Sequence, residues 1–278
     1  MTLQILVPLH TYPDGNADNI AHHAAAIVRH LNADVHALVL IADFPRVSSA
    51  LANMLLDVPA LIGDAKAKCR ERGSAIIKAM EREMEPLGIR LRTGKIECFP
   101  SAAGDVVTSL ARYHDLALVG IGASDVTPRA TAEAAIFGSG RPALLVPEDA
   151  PVGVFGHVMI AWDGSRVAAR AVSDAGDFLQ RAQTVTIASV TDEKALPDED
   201  PGSRLAEYVS RHDIQATVAR VQSRGRPIAE TLQKHAQEIG AGLLVMGGFG
   251  HSRMRDFVLG GATGGILKDL RLPVLLSH

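Results

Sequence analysis

The sequence predicts an α/β protein made of two tandem, open, parallel-sheet domains. Three observations carry this prediction: the second half of the chain repeats the first, short apolar strands alternate with helical stretches in both halves, and the composition is aliphatic. Alternating strands and helices favour parallel pairing through right-handed crossovers, as in Rossmann-like domains. We expect the two domains to be related by a pseudo-two-fold axis.

The repeat is visible from one element to the next. Apolar runs that end in turn residues open the two halves, as buried strands do. The strands and helical stretches correspond in the order 4–9 with 157–164, 19–31 with 166–179, 34–41 with 184–190, 89–96 with 214–221, 102–113 with 227–239, 116–120 with 242–247, and 141–147 with 272–277. Pro, Gly and acidic residues interrupt the pattern at 148–153, which predicts a linker. The predicted domains are therefore 1–148 and 154–278.

The composition limits the classes of partner. Aromatic residues make up only 4% of the 278 residues, so the core must be aliphatic, which suits parallel sheets covered by helices. The net charge is −3, from 28 basic and 31 acidic residues, so we expect no nucleic acid and no anionic membrane as partner.

The compartment is predicted from three further features. The first residues lack the basic region of a signal peptide, and no apolar run reaches the ~18 residues of a membrane span. Cys69 and Cys98 fit no metal or redox spacing, which predicts free thiols. A cytoplasmic protein is therefore expected.

One segment of the first half has no counterpart in the second. Residues 44–64 lie between the second strand and the following helix and are more apolar than a surface loop should be. Two interpretations are open: an extra helix that packs on its own domain, or a lid or interface element.

The second half contains a glycine-rich loop. Gly247 and Gly250 follow an apolar strand, and Gly260 opens a helical stretch that runs to about residue 270. Glycine allows positive φ and a close approach of the backbone to a ligand, and a helix start offers free N–H groups to phosphates. Glycines alone are also found in turns without a ligand, so a second feature is needed to support a site.

Asp163 supplies that second feature. It follows the first strand of the same repeat, so it lies at a carboxyl strand end, where open parallel sheets bind ligands. A carboxylate there can accept a hydrogen bond from a ribose hydroxyl or a base amine. The alternative is that Asp163 caps the helix that begins near Ser165. Val190, at the end of the next strand, either packs against the base of a nucleotide or belongs to the core.

These motifs resemble those of the universal stress protein family, and the resemblance covers essentially the whole chain, twice. The family's phosphate motif is G-x2-G-x9-G, then Ser or Thr, a helix and a Pro-Val-Leu strand. Gly247, Gly250 and Gly260 have this spacing, 273–275 match the strand, and 161–165 resemble the end of the family's first strand. The resemblance implies an adenine nucleotide alpha hydrolase-like fold. It also implies a nucleotide site formed by Ala161, Trp162, Asp163, Val190, Met246, Gly247, Gly250, His251, Arg253, Gly260, Gly261, Ala262 and Thr263.

One position departs from the family pattern. Gly261 stands where the family has Ser or Thr, so one hydroxyl contact to phosphate is missing. Thr263 could supply a hydroxyl from the same helix start, and the loss of one neutral hydrogen bond costs about 0.5–1.5 kcal/mol. Arg253 could donate to phosphates or could simply be solvated.

The first half does not reproduce this site. Residues 120–125 and 137–140 lack the glycine spacing, and Pro142 follows the second group so closely that the next helix start is shortened. The first strand ends at His10 instead of an aspartate. We expect a degenerate site. The alternative is a pocket for another ligand near His10, His22 and His23, although no spacing supports these three as metal ligands.

The resemblance implies a stress-response protein that binds ATP, with AMP and ADP as alternatives and Mg²⁺ as a companion ion. No lysine follows the glycines as in a P-loop, and there is no Gly-x-Ser-x-Gly elbow, so we do not expect an enzyme. A nucleotide-free interaction protein and a slow ATPase stay open as alternatives. In the family, single domains pair through their final strands, so we expect an internal pseudo-dimer with 143–146 near 274–277, or a homodimer of such units, with protein partners that the sequence does not identify.

Overall fold

The computed structural model describes residues 2–13, 15–44, 57–122, 126–193, 200–248 and 261–278. The chain forms two compact units, Met1–Ser139 and Gly140–His278. Residues 140–153 therefore group with the second unit, and the domain bounds 1–148 and 154–278 stay a prediction.

The first unit is a parallel sheet with helices between its strands. Its strands are β1 Gln4–His10, β2 Asp34–Ala42, β3 Leu91–Cys98 and β4 Leu116–Ile121, and its helices are α1 Asn19–Leu31, α2 Val58–Met84, α3 Ala103–Ala111 and α4 Val126–Gly138. The strands lie in the order β3-β2-β1-β4, and the described pairs are parallel. The strand order reverses between β1 and β4, which makes their carboxyl ends the switch point of this sheet.

The second unit repeats this arrangement and adds one antiparallel strand. Its strands are β5 Ala143–Pro147, β6 His157–Ala161, β7 Thr184–Val190, β8 Ala216–Val221, β9 Leu243–Gly247 and β10 Val274–Ser277, and its helices are α5 Arg166–Asp174, α6 Gly176–Arg181, α7 Pro201–Ser210, α8 Ile228–Glu238 and α9 Ala262–Lys268. The strand order is β5-β10-β9-β6-β7-β8. The α/β fold, with mostly parallel strands that alternate with helices, is thus confirmed.

The antiparallel partner of β10 is β5, the last strand of the first sequence repeat. Leu144 lies opposite Leu275, and Leu145 lies opposite Val274. This pairing was predicted from the family resemblance, and the structure contains it. The side chains of both strands are buried, so the contact contributes to the core of the second unit.

Burial follows position in the sheet. Strands β1 and β2 are buried along almost their whole length, because helices cover both faces of a parallel sheet. The edge strands β3 and β8 are largely exposed or half-buried and carry Arg, Thr and Lys residues. Charged side chains on an edge strand oppose pairing with other chains.

The structure corrects one interpretation of the first half. Residues 137–140 end helix α4 instead of starting a helix, and Gly140 adopts a left-handed φ of 71° just beyond it. A Cβ on Gly138 would lie 2.7 Å from Thr108 Cγ2, so this glycine allows α3 and α4 to pack closely. The glycines of this segment thus serve helix packing and termination, not a loop that binds phosphate.

The segment that follows β2 is described only in part, so both of its interpretations stay open. Residues 58–64 are the exposed first turns of the 27-residue helix α2, which is continuous to Met84. Residues 45–56 lie outside the described part of the chain. In the second unit, the predicted helix 166–179 is divided at Ala175 into α5 and α6.

Among the described residues, no helix combines the length and the apolar character that a membrane span requires.

Candidate functional site

The candidate site of the second unit lies at the carboxyl ends of β6 and β9. These strands are parallel neighbours, with Ile160 opposite Val245, and β7 lies on the other side of β6. The strand that follows β6 in the sequence, β7, lies on one side of it, whereas the later strand β9 lies on the other side. This is the switch point of the sheet, where a crevice opens between loops that diverge.

Asp163 lies in the turn that leaves β6. Its Oδ1 accepts a hydrogen bond from the backbone N–H of Ser165 at 3.0 Å, and Gly164 between them has a φ of 73°. Ser165 is the N-cap of α5, because its Oγ accepts from the N–H of Ala168 at 3.2 Å. The capping role considered for Asp163 therefore belongs to Ser165. Asp163 instead shapes the turn and is only partly buried at the switch point.

The cap makes a testable contribution to the geometry of this turn. Replacement of Ser165 by Ala removes the acceptor for the Ala168 N–H and should lower the free energy of unfolding by about 1 kcal/mol. Urea unfolding followed by tryptophan fluorescence measures this loss. Ser173→Ala, at an exposed position of the same helix, is the matched control and should not destabilise the protein. Equal stability of the two variants would contradict the assigned cap.

Two hydrogen bonds of its backbone hold Trp162 in place. Its N–H donates to the carbonyl of Ala188 at 2.9 Å, and its carbonyl accepts from Ser189 Oγ at 2.8 Å. The indole Nε1 is buried and has no hydrogen-bond partner within the described part of the chain. Ser189 was missed by the sequence analysis. The sequence feature that could have indicated Ser189 is a hydroxyl residue near the otherwise apolar end of β7. In the structure this residue is 4% exposed.

Gly247 ends β9 directly against the first turn of α5. A Cβ at this position would lie 2.6 Å from the backbone N of Ala168 and 2.7 Å from the carbonyl carbon of Val167. No side chain fits there, so glycine is required for packing and not only for a ligand. The next residue, Gly248, donates to the carbonyl of Ser277 at 2.7 Å, which ties the base of the glycine loop to β10.

Gly261 begins the other arm of the loop. Its φ of 99° and ψ of −171° place it in a region that is essentially restricted to glycine. This explains the departure from the family pattern, since Ser or Thr would be strained at this position. Ala262 opens α9, and the side chain of Thr263 is buried at 4% exposure.

The remaining predicted residues divide into three groups. Val190 is half-buried at the end of β7, and Ala161 is half-buried at the end of β6. Met246 is 4% exposed and belongs to the core. Gly250, His251, Arg253 and Gly260 lie outside the described residues.

The first unit has a histidine at the corresponding strand end. His10 is 3% exposed, and burial lowers its pKa from 6.5 to about 4, so it is neutral at physiological pH. His22 contacts Glu83 at 3.1 Å, and His23 is buried. No group of three or more potential metal ligands occurs among the residues that the structure describes.

Comparison with known proteins relates this geometry to one family. Residues 155–278 match the model of the universal stress protein family. This match covers most of the second unit. No curated protein sequence matches the chain significantly.

Solved structures extend the fold of this family to the whole chain. A universal stress protein from Archaeoglobus fulgidus DSM 4304 matches 99% of this chain over 96% of its own length, at 16% identity and a TM-score of 0.69. A proposed universal stress protein from Pseudomonas aeruginosa UCBPP-PA14 matches 99% over 93%, at 17% identity and a TM-score of 0.59. The cytoplasmic domain of a prokaryotic cation chloride cotransporter matches 99% over 95%, at 13% identity and a TM-score of 0.51. At these identities the likeness concerns the fold, and one fold hosts several functions.

Proposed function

We propose that the second unit binds an adenine nucleotide, ATP or alternatively AMP or ADP, and that the protein acts as a nucleotide-dependent regulator in a cytoplasmic stress response. The observation that carries this proposal is the position of Asp163 and Gly247 at the carboxyl ends of β6 and β9, on either side of the switch point. The match of residues 155–278 to the universal stress protein family and the G-x2-G-x9-G spacing of the loop support the same ligand class.

Each part of the crevice suits one part of a nucleotide. The partly buried carboxylate of Asp163 can accept from a ribose hydroxyl. Helix α9 has only seven residues, so its dipole would contribute little to phosphate binding. The backbone N–H groups of the glycines would instead contact the phosphates. Mg²⁺ would enter with the phosphates, because it is commonly held through phosphate oxygens and water.

The proposal predicts a loss of affinity in Asp163→Asn. This change keeps the shape of the side chain but removes the charge, and a hydrogen bond to a charged group contributes enough that affinity for ATP should fall about tenfold. Trp162 is the only tryptophan of the 278 residues and is adjacent to Asp163, so its fluorescence reports titration with ATP, ADP or AMP. Calorimetry provides an independent measurement.

Asp177→Asn, on the exposed start of α6, is the matched control and should bind as the unmodified protein does. Absence of binding at millimolar nucleotide, or equal affinities of the two variants, would overturn the proposed function.

A nucleotide-free interaction protein of the same fold is the second candidate. It is favoured by Gly261, whose conformation excludes the hydroxyl residue of the family motif from this position. Chromatography of the supernatant after denaturation of the purified protein separates the two candidates. Nucleotide released in amounts near that of the protein supports the first, and its absence together with failed titration supports the second.

A further inference from the structure

The first unit presents a different set of side chains at its own switch point. Ile5 pairs with Leu116 in the same way that Val158 pairs with Leu243, so the two strand ends can be compared by register. His10 lies as far beyond Ile5 as Asp163 lies beyond Val158. The first unit therefore has a buried, neutral imidazole where the second has a carboxylate.

Two spaces border His10, and they differ greatly in size. The space over the carboxyl ends of the strands, beside Tyr12 and Cys98, is only about 10 Å³, which is no more than one water molecule requires. The described residues leave no room there for a nucleoside. On the other side of His10, a cleft of about 320 Å³ opens between the loop after β1 and helix α2. This volume is at the lower end of the range for small-molecule sites.

Arg72 on α2 lines this cleft and is already oriented. Its Nη1 donates to the carbonyls of Thr11 at 3.1 Å and Pro13 at 2.6 Å. Nη1 carries two hydrogens, so these bonds leave the Nε and Nη2 hydrogens, for which the described residues supply no partner. That edge of a guanidinium is a planar fork that matches a carboxylate.

Asp18 lines the same cleft with the opposite charge. It occupies the N-cap position of α1, but its carboxylate forms no capping hydrogen bond. Of the residues that the structure describes, Arg72 and Asp18 are the charged ones that border the cleft, and His10 adds no charge. A polyanion would be repelled by Asp18, and a simple amine would be repelled by Arg72. A ligand that carries one positive and one negative group satisfies both.

Apolar side chains complete the cleft. Ala75 and Ile76 border it from α2, one turn beyond Arg72, and offer a surface to a short aliphatic group. We propose that the first unit binds a free α-amino acid with a short aliphatic side chain. Its carboxylate lies on the Nε–Nη2 edge of Arg72 and its ammonium group lies at Asp18.

Calorimetry of the full chain with three matched compounds tests this proposal. L-Valine carries both charges, isovalerate lacks the ammonium group, and isobutylamine lacks the carboxylate. We expect L-valine to bind at millimolar concentration and both analogues to bind at least about tenfold more weakly. Asp18→Asn and Arg72→Met should each reduce the affinity for valine by a similar factor.

Arg70→Met is the matched control, because Arg70 is on the same helix but pairs with Glu97 outside the cleft. It should bind valine as the unmodified protein does. Asp18→Asn, which removes no described hydrogen bond, remains informative if Arg72→Met disturbs the loop. Absence of valine binding, or equal affinity for valine and isovalerate, would overturn the proposal. The result is independent of nucleotide binding, since Asp163→Asn in the second unit should leave valine affinity unchanged.

Discussion

Replacement of Gly247 by Ala should lower the free energy of unfolding of the second unit by about 3 kcal/mol, at the upper end of the cost of overpacking. The added methyl group would meet the backbone of Val167 and Ala168 at 2.6 to 2.7 Å, distances that real Cβ atoms do not show. Backbone atoms cannot rotate away as the end of a side chain can, so β9 and α5 must separate. Urea unfolding followed by the fluorescence of Trp162 measures the loss in the unit that is affected.

Gly176→Ala is the control for this prediction. Gly176 opens α6, and a Cβ there would meet nothing within 4 Å. Because Ala favours a helix over Gly by roughly 0.5–1 kcal/mol in the interior, this variant should be unchanged or slightly more stable. A Gly247→Ala protein as stable as Gly176→Ala would show that β9 and α5 are not packed as described.

Acid should destabilise the protein through His10. Burial lowers the pKa of this imidazole from 6.5 to about 4, so between these two pH values the unfolded chain binds a proton that the folded chain does not. Stability from the neutral His10 is fully present above pH 6.5 and is lost as the pH falls towards 4. The shift corresponds to a loss of about 3 kcal/mol when it is complete.

His10→Gln removes this titration and keeps a polar side chain. The difference in unfolding free energy between neutral and acid pH, measured by urea titration with circular dichroism, should shrink by most of that amount. Some acid sensitivity should remain, since burial also lowers the pKa of His23 and His36. An unchanged pH dependence in His10→Gln would mean that His10 is accessible to protons in the folded state.

Much of the fold was predictable because its signals are local. Helix α1 was predicted at 19–31 and is found at Asn19–Leu31, since its apolar residues recur at helical spacing. Strand β7 was predicted at 184–190 and has these bounds, because β-branched residues and a following turn define it. The pairing of β5 with β10 was predicted from the resemblance to a family whose members pair there, not from local pattern.

The errors arose where glycine has more than one use. Residues 137–140 suggested a degenerate phosphate loop, whereas they end α4. Pro128 near the start of that helix and Gly140 beyond its end fit the usual preference for an N-terminal Pro and a C-terminal Gly, and this signal could have found the helix. The positive φ of Gly261 could not be predicted, because the backbone conformation of one residue depends on how the two ends of a loop meet.

The assignment of β5 to the second unit has a consequence for any attempt to divide the chain. A fragment cut within 148–153 would lose β5, and β10 would then present its unpaired N–H and C=O groups as an open sheet edge. The strand that this cut would uncover, Val274–Ser277, is short and mainly aliphatic, and it carries no charge that would prevent association. Such a fragment should self-associate through this edge, whereas in one that begins at Gly140 the strand β10 keeps β5 as its partner.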